Sequence, residues 1–202
     1  MKLYYSPGAC SQFPHIVMRE LGLDPALVRV DLRKKQTETG ADFLAINPKG
    51  YVPALELDEG TVLTEGVAVA SYLADAHTGH TLAPVVGTVE RAHQNGLLIY
   101  IATEVHKSYA PMFHPACTPE IKAFAITVLS NKLGYLEGLL SDGRAYLTGD
   151  DVTLADIYLF VALGWARYVE FDLTPWPNLV ALQARVGARP AVQAALKAEG
   201  LI

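Results

Sequence analysis

Cysteine is scarce in this chain: of 202 residues only Cys10 and Cys117 are thiols. Two cysteines exclude a disulfide framework and a cysteine-rich zinc centre. Cys10 is followed by Ser11-Gln12-Phe13, so there is no C-x-x-C dithiol either. Positive charge is also in short supply, with 16 Lys and Arg against 21 Asp and Glu and a net charge of −5. A protein that tracks a nucleic-acid backbone needs a basic surface, and that class is excluded. Long apolar runs are missing. The most apolar window, Ile157 to Ala166, falls well short of the roughly 20 residues that cross a bilayer. The first residues lack the apolar stretch of a secretory signal, so the expectation is a cytoplasmic protein without membrane association. Disorder is excluded by composition, with 51% hydrophobic and 18% charged residues.

The first 77 or so residues mix strand and helix patterns. Lys2–Tyr5 reads as a strand, Ser11–Leu21 as a helix closed by Gly22, and Leu27–Leu32 as a β-branched strand. Ala41–Ile46 reads as a short helix stopped by Asn47-Pro48. Ala54–Leu57 and Val62–Thr64 flank Asp58-Glu59-Gly60 as a hairpin, and Glu65–Ala76 is a helix. The order predicts a βαβ unit with a parallel strand pair, followed by antiparallel strands. Residues 78–87, with Gly79, Pro84 and Gly87, read as a linker. From residue 88 to 202 the patterns are helical: Thr88–Phe113, Pro119–Leu140, Thr153–Val169, Pro177–Val186 and Pro190–Glu199. Thr153-Leu-Ala-Asp156 opens one of them as a capping box, with Val152 as its apolar staple.

Cys10 lies between the first strand and the first helix. One reading is a small buried residue at a corner. The other is a nucleophile, because helix N-terminal amides and the helix dipole favour an anion at that place. Val52-Pro53 is either a strand-start proline or a turn that offers the Val52 backbone to a ligand. Glu65 at a helix start is either a dipole partner or a grip for an ammonium group, with the Gly66 amide meeting a carboxylate. On the helix 88–113, Ile99, Thr103, His106 and Lys107 fall at i, i+4, i+7 and i+8, on one face. A histidine there serves acid–base chemistry near neutral pH or donates to a thiolate.

Taken together, Tyr5-Ser-Pro-Gly-Ala-Cys10-Ser11, Lys34-Lys35, Asn47-Pro-Lys-Gly-Tyr-Val-Pro-Ala-Leu55, Leu63-Thr-Glu-Gly66, Tyr100–Lys107, Thr153–Asp156 and the closing Arg189-Pro190 and Ala198–Leu201 resemble the bacterial beta-class glutathione S-transferases. The resemblance runs over almost the whole chain. It implies an α/β thioredoxin-like domain (1–77), the linker (78–87), and an all-α helical domain (88–202). It also implies a cytoplasmic homodimer, with glutathione as cosubstrate and neither a metal nor a tightly bound cofactor.

Carried onto this sequence, the resemblance makes Cys10 and His106 catalytic. Lys35 would meet the glycyl carboxylate, Val52 and Pro53 the cysteinyl part, and Glu65 and Gly66 the γ-glutamyl end. Thr103, Glu104 and Lys107 complete the glutathione contacts, Glu104 by reaching toward the ligand of the other subunit. Phe113, Trp165 and Tyr168 are the expected walls of a pocket for a hydrophobic electrophile. The implied activity is conjugation of glutathione, with thiol–disulfide exchange through Cys10 beside it. The alternative is a non-enzymatic ligand-binding or interaction protein on the same fold. Two positions depart from the pattern: Ile99 stands where an asparagine is common, and Gly164 where a larger basic residue is often found. The first removes a polar contact to glutathione, and the second alters the pocket's shape.

Overall fold

The structure is a computed structural model that describes residues 1–77, 79 and 81–202. Thr78 and His80 of the expected linker lie outside the described residues. The chain forms two compact units, Met1–His80 with Arg189–Ile202, and Thr81–Ala188.

In the first unit, strands β1 (Lys2–Tyr5), β2 (Ala26–Asp31), β3 (Gln36–Thr37), β4 (Ala54–Glu56) and β5 (Val62–Thr64) form one sheet in the order β3-β2-β1-β4-β5. β1 and β2 are parallel, with Leu3 opposite Leu27, and the other pairings are antiparallel. Helices α1 (Gln12–Glu20), α2 (Phe43–Ile46) and α3 (Gly66–Ala76) complete the thioredoxin-like order. Successive strand residues point to opposite faces, and both faces are covered. Tyr4, Val30, Phe43, Val52 and Ala54 form one buried cluster, with the Tyr4 and Phe43 rings 5.9 Å apart. α1 packs on α3, burying Phe13, Ile16, Val17, Val69 and Leu73.

Several boundaries differ from the sequence pattern, each for a local reason. Ser11 does not cap α1 with its side chain; its hydroxyl is bonded to the amide and carbonyl of Ser6. α3 starts at Gly66, since Glu65 has φ +69° and ψ 115° and cannot be helical. β3 is two residues long, too short to leave a pattern. The last helix, α9 (Pro190–Ala198), packs on α1 and belongs to the first unit, although its sequence reads as a continuation of the helical half.

The second unit is helical. α4 (Val89–Tyr100) runs into a π-helical stretch, Ile101–Val105, and then into α5 (His106–Phe113). α6 (Pro119–Leu139), α7 (Leu154–Gly164), a 3₁₀ turn (Trp165–Tyr168) and α8 (Pro177–Gly187) follow. The central α7 is buried at nearly every position, as its all-apolar sequence requires. At its start the buried Asp156 carboxylate accepts from the Thr153 amide (2.8 Å), the Thr153 hydroxyl (2.7 Å) and the Leu147 amide (2.8 Å). Burial pushes this carboxyl above the usual range, while the three donors pull the other way. Among the described residues no helix is long and apolar enough to cross a membrane.

Candidate functional site

Cys10 sits in the turn between β1 and α1, partly buried. The first amides of α1 are not open toward it, since Gln12 N–H bonds the Ala9 carbonyl (3.0 Å) and Phe13 N–H that of Cys10 (3.2 Å). The thiol instead donates to the Val52 carbonyl at 3.1 Å. Val52 and Pro53 are buried and joined by a cis peptide bond directly before β4. Cys10 and Val52, 42 residues apart in sequence, are therefore brought into direct contact.

The Asn47–Tyr51 loop is built by its own hydrogen bonds. Asn47 Nδ2 donates to the Tyr51 carbonyl (2.7 Å), and Gly50 N–H to the Asn47 carbonyl (2.8 Å). Gly50 has φ +68°, a conformation that favours glycine, and a Cβ there would press on Leu44 Cδ2 at 3.1 Å. Lys35, also at positive φ, donates from Nζ to the Gly50 carbonyl (2.8 Å) and lies over the Tyr51 ring. Lys35 is thus fixed to this loop and is not a solvated lysine of the run 33–35.

Glu65 stands at the N-cap of α3 with an exposed side chain, and its carboxylate is paired with Lys49 Nζ at 2.7 Å. Lys49 also reaches the Thr64 hydroxyl. Gly66 begins the helix; a Cβ on it would lie 3.5 Å from Phe13 and 3.8 Å from Pro53. A non-glycine residue held at φ +69° is uncommon and marks a place where the surroundings dictate the backbone.

In the second unit, His106 is partly buried and its Nδ1 is 2.8 Å from the Tyr158 hydroxyl. Its ring packs edge-on against Trp165, with centroids 4.5 Å apart. Burial, with a smaller contribution from the neighbouring Lys107 charge, lowers its pKa to about 4. The imidazole is therefore neutral at pH 7, which favours the thiolate-donor alternative over acid–base chemistry near neutrality. In the tautomer in which Nδ1 accepts from the Tyr158 hydroxyl, the proton sits on Nε2 and the ring is a hydrogen-bond donor there; in the other tautomer Nδ1 donates to Tyr158.

The shared face expected for Ile99, Thr103, His106 and Lys107 assumes 3.6 residues per turn. The π stretch breaks that assumption, because His106 N–H bonds the Ile101 carbonyl five residues back. Thr103 donates its hydroxyl to the Ile99 carbonyl (3.0 Å), and Ile99 and Lys107 are exposed. Glu104 is ion-paired with Lys132 at 2.7 Å.

The expected apolar walls divide. Trp165 is buried against His106 and Tyr109, and Phe113 stacks on Tyr109 while staying half exposed. Tyr168 is exposed and carries the Arg167 guanidinium over its ring. Gly164 has open space around its missing Cβ, so nothing in this unit demands glycine there. A separate open cavity of about 1080 Å³, lined among others by His93, Leu97, Tyr100, Tyr135, Arg144 and Asp151, holds none of the expected site residues.

Two partners escaped the sequence reading. Tyr158 orients His106, and its only signal is a lone hydroxyl in the apolar run Ile157–Ala166. Lys49 engages Glu65, and nothing in the sequence distinguishes it from other loop lysines.

Comparison with known proteins agrees with this architecture. The family described as "Glutathione S-transferase, N-terminal domain" matches residues 8–76, and "Glutathione S-transferase, C-terminal domain" matches residues 108–196. The chain is 47% identical over 201 residues to glutathione S-transferase GstA of Escherichia coli O157:H7, covering 100% of both. Among solved structures it is similar to the ternary complex of BphK, a bacterial GST, with 53% identity, a TM-score of 0.96 and complete coverage of both chains. A bacterial beta-class glutathione S-transferase of Sphingomonas chungbukensis gives 47% identity and a TM-score of 0.95, again over 100% of each chain. Full-length identity at this level, with both halves matched and the Cys10, Val52-Pro53 and Glu65-Gly66 elements in place, leaves no room for a non-enzymatic scaffold as the favoured reading, and the chain belongs to the glutathione S-transferase family of transferases.

Proposed function

We propose that the first unit binds glutathione with its sulfur at Cys10, and that the enzyme conjugates it to hydrophobic electrophiles. The observation that carries this reading is the 3.1 Å contact between Cys10 Sγ and the Val52 carbonyl. It sets a thiol beside the strand-entry backbone that pairs with the cysteinyl residue of an extended peptide. Lys35, fixed above the Asn47–Tyr51 loop, serves the glycyl carboxylate. Glu65 meets the γ-glutamyl ammonium, and the Gly66 amide at the α3 N-terminus meets its carboxylate. From the second unit the same reading takes Thr103, Glu104, His106 and Lys107. His106 acts as a neutral Nε2–H donor to a sulfur anion, held by Tyr158.

Cys10 has two jobs in this account. It donates a hydrogen bond that stabilises the glutathione thiolate. As a thiolate it also attacks the glutathionyl sulfur of a mixed disulfide between glutathione and another thiol: an S–S bond forms to Cys10 and the other thiolate leaves, and a glutathione thiolate then attacks that glutathionyl sulfur, releasing oxidised glutathione and the Cys10 thiolate. Serine or tyrosine supplies a hydrogen bond without risk of oxidation, so a cysteine here favours exchange chemistry beside conjugation. Such a thiol belongs in a reducing compartment, and a cytoplasmic location is part of the reading. So is a homodimer, supported by large exposed apolar side chains at Val89 (66%), Ile99 (57%) and Tyr135 (52%) of the second unit. Phe113, Trp165 and Tyr168 remain the proposed electrophile contacts, Trp165 as a buried support.

Purified enzyme is expected to accelerate the reaction of glutathione with 1-chloro-2,4-dinitrobenzene, saturably in both. Saturable glutathione binding with no acceleration of this or any other small electrophile would contradict the conjugating role.

A further inference from the structure

One buried histidine–glutamate pair takes no part in the chemistry above. The side chains of His15, on α1, and Glu199, directly after α9, are fully buried, and His15 Nδ1 lies 2.8 Å from Glu199 Oε1. The other carboxylate oxygen accepts the Gly8 amide at 2.9 Å and Gln12 Nε2 at 3.3 Å. A carboxylate removed from water is costly unless donors surround it, and here three converge on it. The donors are not scattered. Gly8 and Gln12 stand two residues before and two residues after Cys10, and Gly8, at φ +70°, is part of the turn itself. A side chain 191 residues further along the chain therefore grips both flanks of the reactive turn.

We propose that Glu199 is a positioning residue that fixes the Cys10 turn against α1, with His15 orienting its carboxylate. The catalytic consequence rests on the reading that Cys10 contacts the glutathione sulfur; the grip on the turn does not. Loss of the grip leaves Lys35 and Glu65 in place, so glutathione still binds. The two sulfurs are then poorly aligned, and misplacement of about 1 Å is enough to slow a reaction greatly.

The same C-terminal segment offers a control. Arg189 forms a two-pronged ion pair with Glu20 at the far end of α1 (2.6 and 2.8 Å) and touches neither flank of Cys10 in doing so. Glu199→Gln keeps the side chain's volume and one acceptor oxygen, and Arg189→Met breaks the other tie. In Glu199→Gln, deuterium exchange in the segment 8–12 is expected to speed up while α9 stays protected. Its kcat for conjugation of 1-chloro-2,4-dinitrobenzene is expected to fall about ten-fold, with the glutathione KM within about three-fold of wild type. Arg189→Met is expected to lower the melting temperature and leave both readouts unchanged. Unchanged exchange in the 8–12 segment of Glu199→Gln overturns the proposal. So does a kcat loss that follows the drop in melting temperature equally in both variants. Cys10→Ala measured alongside separates the two ideas: if it keeps wild-type kcat, the reading of Cys10 fails, and the exchange result alone decides the grip.

Discussion

Asp156→Ala is expected to lower the melting temperature by roughly 10 °C, a large loss for the truncation of one short side chain. The carboxylate is fully buried and satisfies two backbone amides and a hydroxyl. Alanine leaves the Leu147 and Thr153 amides without acceptors in a site closed to water. Each orphaned amide costs about 1–3 kcal/mol, so the two together cost about 2–6 kcal/mol. The loss is not confined to one helix end. Leu147 lies in the loop ahead of α7, and Asp156 ties that loop to the central helix of the unit. Asp156→Asn keeps the shape but turns one acceptor into a donor facing an N–H, so it recovers only part of the loss. A thermal scan checks this; a shift of less than about 2 °C for Asp156→Ala would mean that the capping network contributes little.

Glu65→Gln is expected to raise the glutathione KM about ten- to hundred-fold while kcat changes less than about three-fold. Glutamine has the same length and meets the same backbone constraint at φ +69°, so the comparison isolates the charge. A charge-assisted bond to an ammonium group is worth about 1.5–3 kcal/mol, and each 1.4 kcal/mol is a factor of about ten in affinity. The γ-glutamyl end is remote from the sulfur, so the loss falls on binding and not on the chemical step. Lys49, which pairs with Glu65 at 2.7 Å, is a built-in control. The pair is exposed and contributes little to stability. Lys49→Met is therefore expected to fold normally and to keep a near-wild-type KM. Steady-state kinetics with glutathione varied checks both variants. An unchanged KM in Glu65→Gln would remove Glu65 from the site.

Local signals in the sequence were strong where the structure is built locally. The strand Lys2–Tyr5, the Gly22 stop and the hairpin around Asp58-Glu59-Gly60 follow from turn chemistry and alternation. The Thr153–Asp156 cap follows from a spacing that brings a carboxylate back to the helix start. The resemblance put Cys10 and Val52 at one expected site, but their direct contact left no signal, since no spacing rule joins residues 42 apart. What stayed hidden was set by packing. The π stretch at Ile101–Val105 has no compositional mark, yet it shifts every residue after it relative to Ile99. His106 reads as a neutral-pH acid–base residue until Trp165 and Tyr158 close around it and lower its pKa to about 4. α9 has an ordinary amphipathic pattern, and nothing in that pattern says which unit it covers; the answer lies in the Glu199 and Arg189 bonds to α1 and its turn.

The most direct test of the central claim, a reactive Cys10 inside a glutathione site, is intact mass after incubation with oxidised glutathione, comparing wild type with Cys10→Ala. The account predicts one glutathione adduct on the wild type, reversed by reduced glutathione and lost in Cys10→Ala. An adduct that persists in Cys10→Ala, or no adduct on a wild type that binds no glutathione, would contradict it.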